Sequence, residues 1–195
     1  MKNIPLLNDL KNYEKTNLKD DIAESKLMAN KLKLKSSIIF TYGSTPYSTF
    51  ESVYNAIKST PKRFVVVGSS TGWVNFYWND LNPTIETVGI DLHQGRLDFR
   101  KNLINKYNLK NIAFYNKDYK NFEFRNGDLI WQSNLCFPSD EVKKINNIIL
   151  EKTPNISIIS YRPMTTNKEA RKYIKKQHHP CSWNPNQTFY VYEKI

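Results

Sequence analysis

A short β-branched run, Phe64-Val65-Val66-Val67, ends in Gly68-Ser69-Ser70-Thr71-Gly72. Small residues at such a point let the backbone approach a ligand and turn sharply into a helix. Alone the motif is weak, because a short Gly/Ser segment also serves as an ordinary turn. The next run, Thr87-Val88-Gly89-Ile90, ends in Asp91, roughly 20 residues beyond Gly72. A carboxylate there offers two acceptor oxygens to the two adjacent hydroxyls of a ribose. Its plain alternative is a helix-capping aspartate. The third run, Ile112-Ala113-Phe114-Tyr115, leads to Asp118-Tyr119. Asp118 can accept from the exocyclic amine of adenine while the Tyr119 ring packs on the base. The alternative is a loop aspartate beside a surface tyrosine. Occurring in order at the ends of successive strands, the three sites read together as an adenosine pocket with no need for phosphate recognition.

This arrangement resembles a class I S-adenosyl-L-methionine-dependent methyltransferase, over roughly Tyr42 to the C-terminus. Further segments narrow the likeness: Tyr42-Gly43-Ser44-Thr45 ahead of a helix, Ser133-Asn134-Leu135-Cys136-Phe137 after the fourth strand, Ser160-Tyr161-Arg162-Pro163 after the fifth, and Ser182-Trp183 with Tyr190 seven positions later. The series is similar to the disruptor-of-telomeric-silencing (DOT-one) family of non-SET histone lysine methyltransferases, in the minimal catalytic core of its viral and archaeal relatives.

The resemblance implies S-adenosyl-L-methionine as cofactor and assigns roles. Tyr42, Gly43 and Thr45 would cover the methionine end. Gly68, Ser69 and Gly72 would form the glycine-loop contacts, Asp91 would hold the ribose, and Asp118 and Tyr119 would bind adenine. Asn134 would sit beside the cofactor and orient the reacting groups. Phe137, Trp183 and Tyr190 would wall a lysine channel with Thr45 at its mouth, although core packing is the plain reading of three such aromatics. The implied acceptor is a lysine of histone H-three on the nucleosome core face.

The chain also departs from the family. Val66 replaces an acidic residue, Ser70 the middle glycine of the loop, Ser44 a glutamate and Trp73 a glutamine. These changes remove polar contacts near the methionine amino and carboxylate groups. Two rivals therefore stand beside the lysine reading: an RNA or small-molecule methyltransferase on the same fold, and a catalytically weak nucleosome or nucleic-acid binder. Asn134-Leu135-Cys136-Phe137 argues against a base-amino methyltransferase, which would place an Asn/Asp-Pro-Pro-aromatic segment there.

The elements that must position these residues follow from hydrophobic pattern. Five short apolar runs from Arg63 onward alternate with amphipathic stretches, which predicts an α/β fold: a mostly parallel, Rossmann-like sheet with helices on both faces. Thr188-Phe189-Tyr190-Val191-Tyr192 adds an antiparallel C-terminal hairpin strand. Helices are expected from Thr71 to Trp78, over the segment carrying Leu97, Leu103, Ile104 and Tyr107, and after a capping Ser139. A capping box, Ser48 with Glu51, is expected to open a helix before the first strand. The domain division is 1–40 as a helical appendage and 41–195 as the methyltransferase core. Ile22, Leu27, Met28 and Leu32 suggest a helical stripe in the appendage.

The chain has 195 residues with 29 basic and 18 acidic side chains, a net charge of +11. Its pI is about 9.5 and its mean hydropathy -0.62. That balance favours an acidic partner, nucleic acid first. The stretch Lys168–Lys176 holds five positive residues and one negative. It is expected to form a basic helix over Asn167–Gln177, with Arg171, Lys172, Lys175 and Lys176 meeting phosphate. A solvated helix face is the plain alternative. His178-His179-Pro180-Cys181 lacks a second pair at zinc spacing, so no metal site is expected. No apolar run reaches membrane-spanning length, and the start lacks the apolar core of a signal peptide. Two cysteines make no disulfide scaffold. The expectation is a monomer in a reducing intracellular compartment, the host nucleus or a virion if the source is viral.

Overall fold

The computed structural model describes residues 4–31, 43–152, 155–165 and 173–193. The chain runs α1 (Ile4–Thr16), α2 (Leu18–Lys31), α3 (Tyr47–Tyr54), β1 (Arg63–Val67), α4 (Trp73–Leu81), β2 (Glu86–Asp91), α5 (Gln94–Lys106), β3 (Ile112–Asn116), β4 (Asp128–Gln132), α6 (Ser139–Lys152), β5 (Ser157–Ser160), β6 (Lys175–Cys181) and β7 (Asn184–Tyr192). The strands form one sheet in the order β3-β2-β1-β4-β5-β7-β6. β1 pairs in parallel with β2 and β4, and the parallel pairing continues to β3 and β5. β7 runs antiparallel to β5, and β6 antiparallel to β7. The strand order therefore reverses beside β1, the place where such sheets open a crevice at their carboxyl ends.

Every residue of β1 and β4 is buried, as a strand covered on both faces requires. Strand alternation divides the core. Phe64, Val66, Leu129, Trp131, Phe189 and Val191 face α3, α4 and α5, where Phe50 and Trp78 complete the packing. Val65, Val67, Ile130 and Ile158 face α6 through Ile145 and Ile149. Burying each such side chain contributes about 1.5–3 kcal/mol. At the end of the sheet away from the crevice, Arg63 locks β1 to β4. Its Nε and Nη2 donate to the two carboxylate oxygens of Asp128 at 3.0 and 2.7 Å.

Three expectations about elements are corrected. The inward face of α2 is not its apolar stripe: Asp21, Ser25 and Ala29 are buried, whereas Ile22 and Leu27 are 46% and 70% exposed. The reason is electrostatic, because Arg96 Nε donates to Asp21 Oδ2 at 3.1 Å and both side chains are buried. α1 does supply apolar residues, Leu6 and Leu10, to the core. Second, α3 starts at Tyr47 behind Pro46, with no side-chain cap, so the Ser48–Glu51 box does not form. Third, Lys175, Lys176 and Gln177 begin a strand, paired with Val191, Tyr190 and Phe189, rather than ending a helix. Lysines on this edge strand guard its open side against further pairing. Arg171 and Lys172, with the rest of the expected basic helix before Tyr173, lie outside the described residues. So does Leu32 of the proposed stripe.

Candidate functional site

A cavity of about 390 Å³ opens at the carboxyl ends of β1, β2 and β4. The glycine loop forms its floor. Gly68, Ser70 and Gly72 all hold left-handed backbone, with φ of +73°, +50° and +94°. Glycine adopts this freely, whereas Ser70 does so at a cost. Gly68 and Ser69 donate their amides to Ile90 O at 3.0 and 3.1 Å, which ties the loop to β2. A Cβ on Gly68 would also stand 3.4 Å from Ser133 O. α4 then begins at Trp73 without a side-chain cap.

Asp91 ends β2 at the cavity wall, with Oδ2 accepting from Ser70 N at 2.7 Å and Oδ1 from His93 N at 3.0 Å. It thus braces the glycine loop and the entry to α5 at once. Each oxygen keeps a second lone pair for a ligand hydroxyl. Burial acts to raise its pKa, but Arg100, then Arg96 and the two amides, outweigh burial and hold it below the ordinary carboxylate range.

Arg100 is the residue that sequence reasoning missed here. It is fully buried, donates from Nη1 to Ser69 Oγ and Ser70 O at 2.6 Å each, and lies 4.7 Å over the Phe114 ring. Burial pulls its pKa down to about 10, against the pull of Asp91. The guanidinium holds the left-handed turn at Ser70 from beneath. An arginine within a polar helix carries no local signal of that role; its four-residue spacing from Arg96, which lines the cavity, was the available hint.

Asp118 and Tyr119 line the far side of the cavity. Asp118 caps a short turn by accepting from Lys120 N at 2.9 Å. The Tyr119 hydroxyl donates to Glu141 Oε2 on α6. Burial, then this bond, raise the Tyr119 pKa, so the phenol stays protonated.

At the other end, Gly43, Thr45, Phe137, Tyr161 and Trp183 line the cavity. Ser44 N donates to Ser182 Oγ at 2.9 Å and Ser182 N to Ser44 O at 3.0 Å, stapling the early loop to the hairpin turn. Gly43 is needed at this crossing, because a Cβ there would stand 2.3 Å from Trp183 Cε3. Trp183 lies edge-on to Tyr161 at 5.6 Å and donates to Gln187 Oε1 at 3.0 Å. Thr45 Oγ1 and the Tyr161 hydroxyl are 3.0 Å apart, and Trp131 Nε1 donates to that hydroxyl at 3.2 Å. Tyr161 was not among the expected site residues; burial pushes its pKa up to about 12. Tyr42 lies outside the described residues.

Two expected residues stand elsewhere. Tyr190 is on the opposite sheet face, with the α6-side core, and packs on Tyr173 at 5.3 Å. Alternation along β7 dictates this, since Phe189 and Val191 take the face that Tyr161 shares. Tyr190 therefore does not wall a channel with Phe137 and Trp183. Asn134 is buried one layer behind the lining residues Ser133 and Leu135. Its Nδ2 donates to Gln132 Oε1 at 3.0 Å and Ser160 Oγ at 2.8 Å, while Oδ1 has no hydrogen-bond partner among the described residues. It brackets β4 to β5 beneath the cavity.

Solved structures share this architecture. TrmN from Thermus thermophilus superposes with a TM-score of 0.62 at 16% identity, covering 78% of this chain and 50% of that one. An RNA methyltransferase from Salinibacter ruber, in complex with S-adenosyl-L-homocysteine, gives 0.58 at 13% identity, covering 77% and 93%. The fold is that of the class I, Rossmann-like methyltransferases. TehB from Haemophilus influenzae gives 0.53 at 16% identity, covering 74% and 62%. The chain thus spans about half the length of TrmN. No protein-family model and no curated protein matches the sequence.

Proposed function

We propose that the chain is an S-adenosyl-L-methionine-dependent methyltransferase whose acceptor is a protein lysine, on histone H-three at the nucleosome core face. One observation carries the reading. A single cavity joins an adenosine-type end, with Asp91, Asp118 and Tyr119, to an end walled by Phe137, Tyr161 and Trp183.

The donor set fits that cofactor. Asp91 keeps lone pairs for the ribose, Asp118 and Tyr119 would bind the base, and the left-handed turn at Gly68 keeps a side chain off the floor. The volume lies within the range of about 300–1,000 Å³ usual for small-molecule sites. Thr71 and Trp73, at the start of α4, line the same cavity and would be available to the cofactor's amino-acid tail. The bound cofactor supplies a sulfonium, an already activated methyl donor.

The remaining work falls to this chain. A lysine attacks only as the neutral amine. Phe137, Tyr161 and Trp183 would exclude water and so lower the pKa of an entering ammonium. Their faces still tolerate a methylated cation. The Thr45–Tyr161 hydroxyl pair offers a hydrogen-bond partner to hold the amine in line. Among the ordered segments that support this acceptor class are those quoted for the family resemblance, Gly43–Thr45, Asn134–Phe137 and Ser182-Trp183. The +11 charge, with Lys175 and Lys176 exposed on β6 and Arg171 and Lys172 preceding it, would serve docking on nucleosomal DNA.

The test is transfer of a radiolabelled methyl group, offered to nucleosomes, free histones and RNA in parallel. Label in histone H-three of nucleosomes is the expected result. Label in RNA alone would replace the acceptor class while leaving the fold assignment intact.

A further inference from the structure

Two loops wall the acceptor end of the cavity. Leu135, Cys136 and Phe137 lie between β4 and α6, and Tyr161 follows β5. The first loop has little backbone bonding of its own. Ser133 N donates to Val67 O at 3.0 Å and Phe137 N to Asn134 O at 3.2 Å. Side chains therefore hold the loop at both ends, and residues at the end of β5 supply the partners.

At the near end, Asn134 Nδ2 donates to Ser160 Oγ at 2.8 Å, and Ser160 Oγ donates to Arg162 O at 2.8 Å. Asn134 and Ser160 are both buried, so water competes little for this joint. At the far end, Arg162 Nη1 donates to Phe137 O at 2.6 Å and Nη2 to Ser139 Oγ at 2.8 Å. Here Arg162 and Phe137 are half-buried and Ser139 is exposed. A guanidinium presents its donors in a rigid fork, so one side chain catches two acceptors that stand two positions apart.

We infer that Arg162 is a positioning residue for the acceptor: its fork fixes the Phe137 wall against Tyr161, its own neighbour in the chain. The inference rests on the acceptor reading above. Without the fork, the far end of the loop loses both of these bonds, while the Asn134 joint at the near end remains. Leu135, Cys136 and Phe137 are then free to drift from Tyr161, admitting water and loosening the alignment of amine and methyl donor. A misplacement of about 1 Å from such a cause lowers a rate by up to roughly a hundredfold.

The two cysteines allow a test that does not depend on turnover. Cys136 lies on the loop and lines the cavity, and burial pushes its thiol above the ordinary range. Alkylation proceeds through the thiolate, so a loosened loop speeds it. Cys181 is buried elsewhere in the core and reports opening of the whole fold. The experiment is iodoacetamide labelling of the full chain, read at each cysteine by peptide mass spectrometry, alongside methyl transfer to nucleosomes. Arg162→Met is expected to label Cys136 about fivefold faster or more, with Cys181 unchanged, and to lower kcat about tenfold. Arg162→Lys keeps the charge but not the fork, and is expected to fall between the parent and Arg162→Met in both readouts. An unchanged Cys136 rate or an unchanged kcat in Arg162→Met overturns the inference. Equal acceleration at Cys136 and Cys181 also overturns it, since Arg162 would then be a tether of the whole fold. Should Arg162→Met fail to fold, Arg162→Lys must label Cys136 faster than the parent with Cys181 unchanged. A parent that binds S-adenosyl-L-homocysteine yet transfers no methyl group to nucleosomes defeats the acceptor reading, and the cysteine rates alone then decide whether Arg162 holds the wall.

Discussion

Replacing Asp91 by asparagine tests the electrostatic frame of the site. The native carboxylate accepts from the Ser70 and His93 amides and faces the buried Arg100. Asparagine keeps one acceptor oxygen and turns an NH₂ donor toward the other amide, so one charge-assisted bond becomes a donor–donor clash. It also removes the main compensating charge of the Arg100 guanidinium, whose Nε and Nη2 have no hydrogen-bond partners among the described residues. Leaving one buried backbone amide without its acceptor costs about 1–3 kcal/mol, to which the weakened attraction of the nearby Arg100 charge adds. The native Asp91 pKa lies below its unfolded value, so its contribution is fully present above the ordinary carboxylate pKa. That contribution is lost as pH falls through the folded pKa. The gap between parent and Asp91→Asn should therefore be full at neutral pH and close in acid. Urea unfolding followed by fluorescence of the buried Trp78 and Trp131 measures it. Adding Arg100→Met to Asp91→Asn should cost less than the sum of the single changes. Equal stability of parent and Asp91→Asn at neutral pH, or strict additivity with Arg100→Met, would refute the reasoning.

Other perturbations separate the two ends of the cavity. Gly43→Ala places a Cβ 2.3 Å from Trp183 Cε3 and should displace that ring, lowering methyl transfer in steady-state kinetics. Trp183→Ala should impair transfer, whereas Tyr190→Ala, on the opposite sheet face, should leave the rate per folded molecule near that of the parent; steady-state kinetics of both variants decides this. Asp128→Asn strands the buried Arg63 guanidinium and should cost about 3–5 kcal/mol in urea unfolding without changing cofactor affinity.

The parallel sheet was legible because its strands are short apolar runs bounded by turn residues, a pattern set within a few positions of chain. The strand ends were legible for the same reason, and Gly68, Asp91, Asp118 and Phe137 fall around one cavity. What escaped depends on partners far along the chain. α2 packs by Asp21 on Arg96, so a search for apolar periodicity picks the wrong face. Arg100 and Tyr161 acquire their roles only when the fold brings Ser70 and Thr45 beside them. Lys175 and Lys176 read as helix by local propensity, yet the ladder to β7 prevails. The channel role of Tyr190 is implied only by the family resemblance, and strand alternation along β7 overrides it.

The proposed reaction is delivery of a methyl group from this cavity to a lysine amine. Peptide mass spectrometry of nucleosomes incubated with the chain and S-adenosyl-L-methionine tests it most directly. A methylated lysine on histone H-three that is lost with Asp91→Asn is the expected result. Nucleosomal proteins left unmodified by a folded chain that binds the cofactor would contradict it.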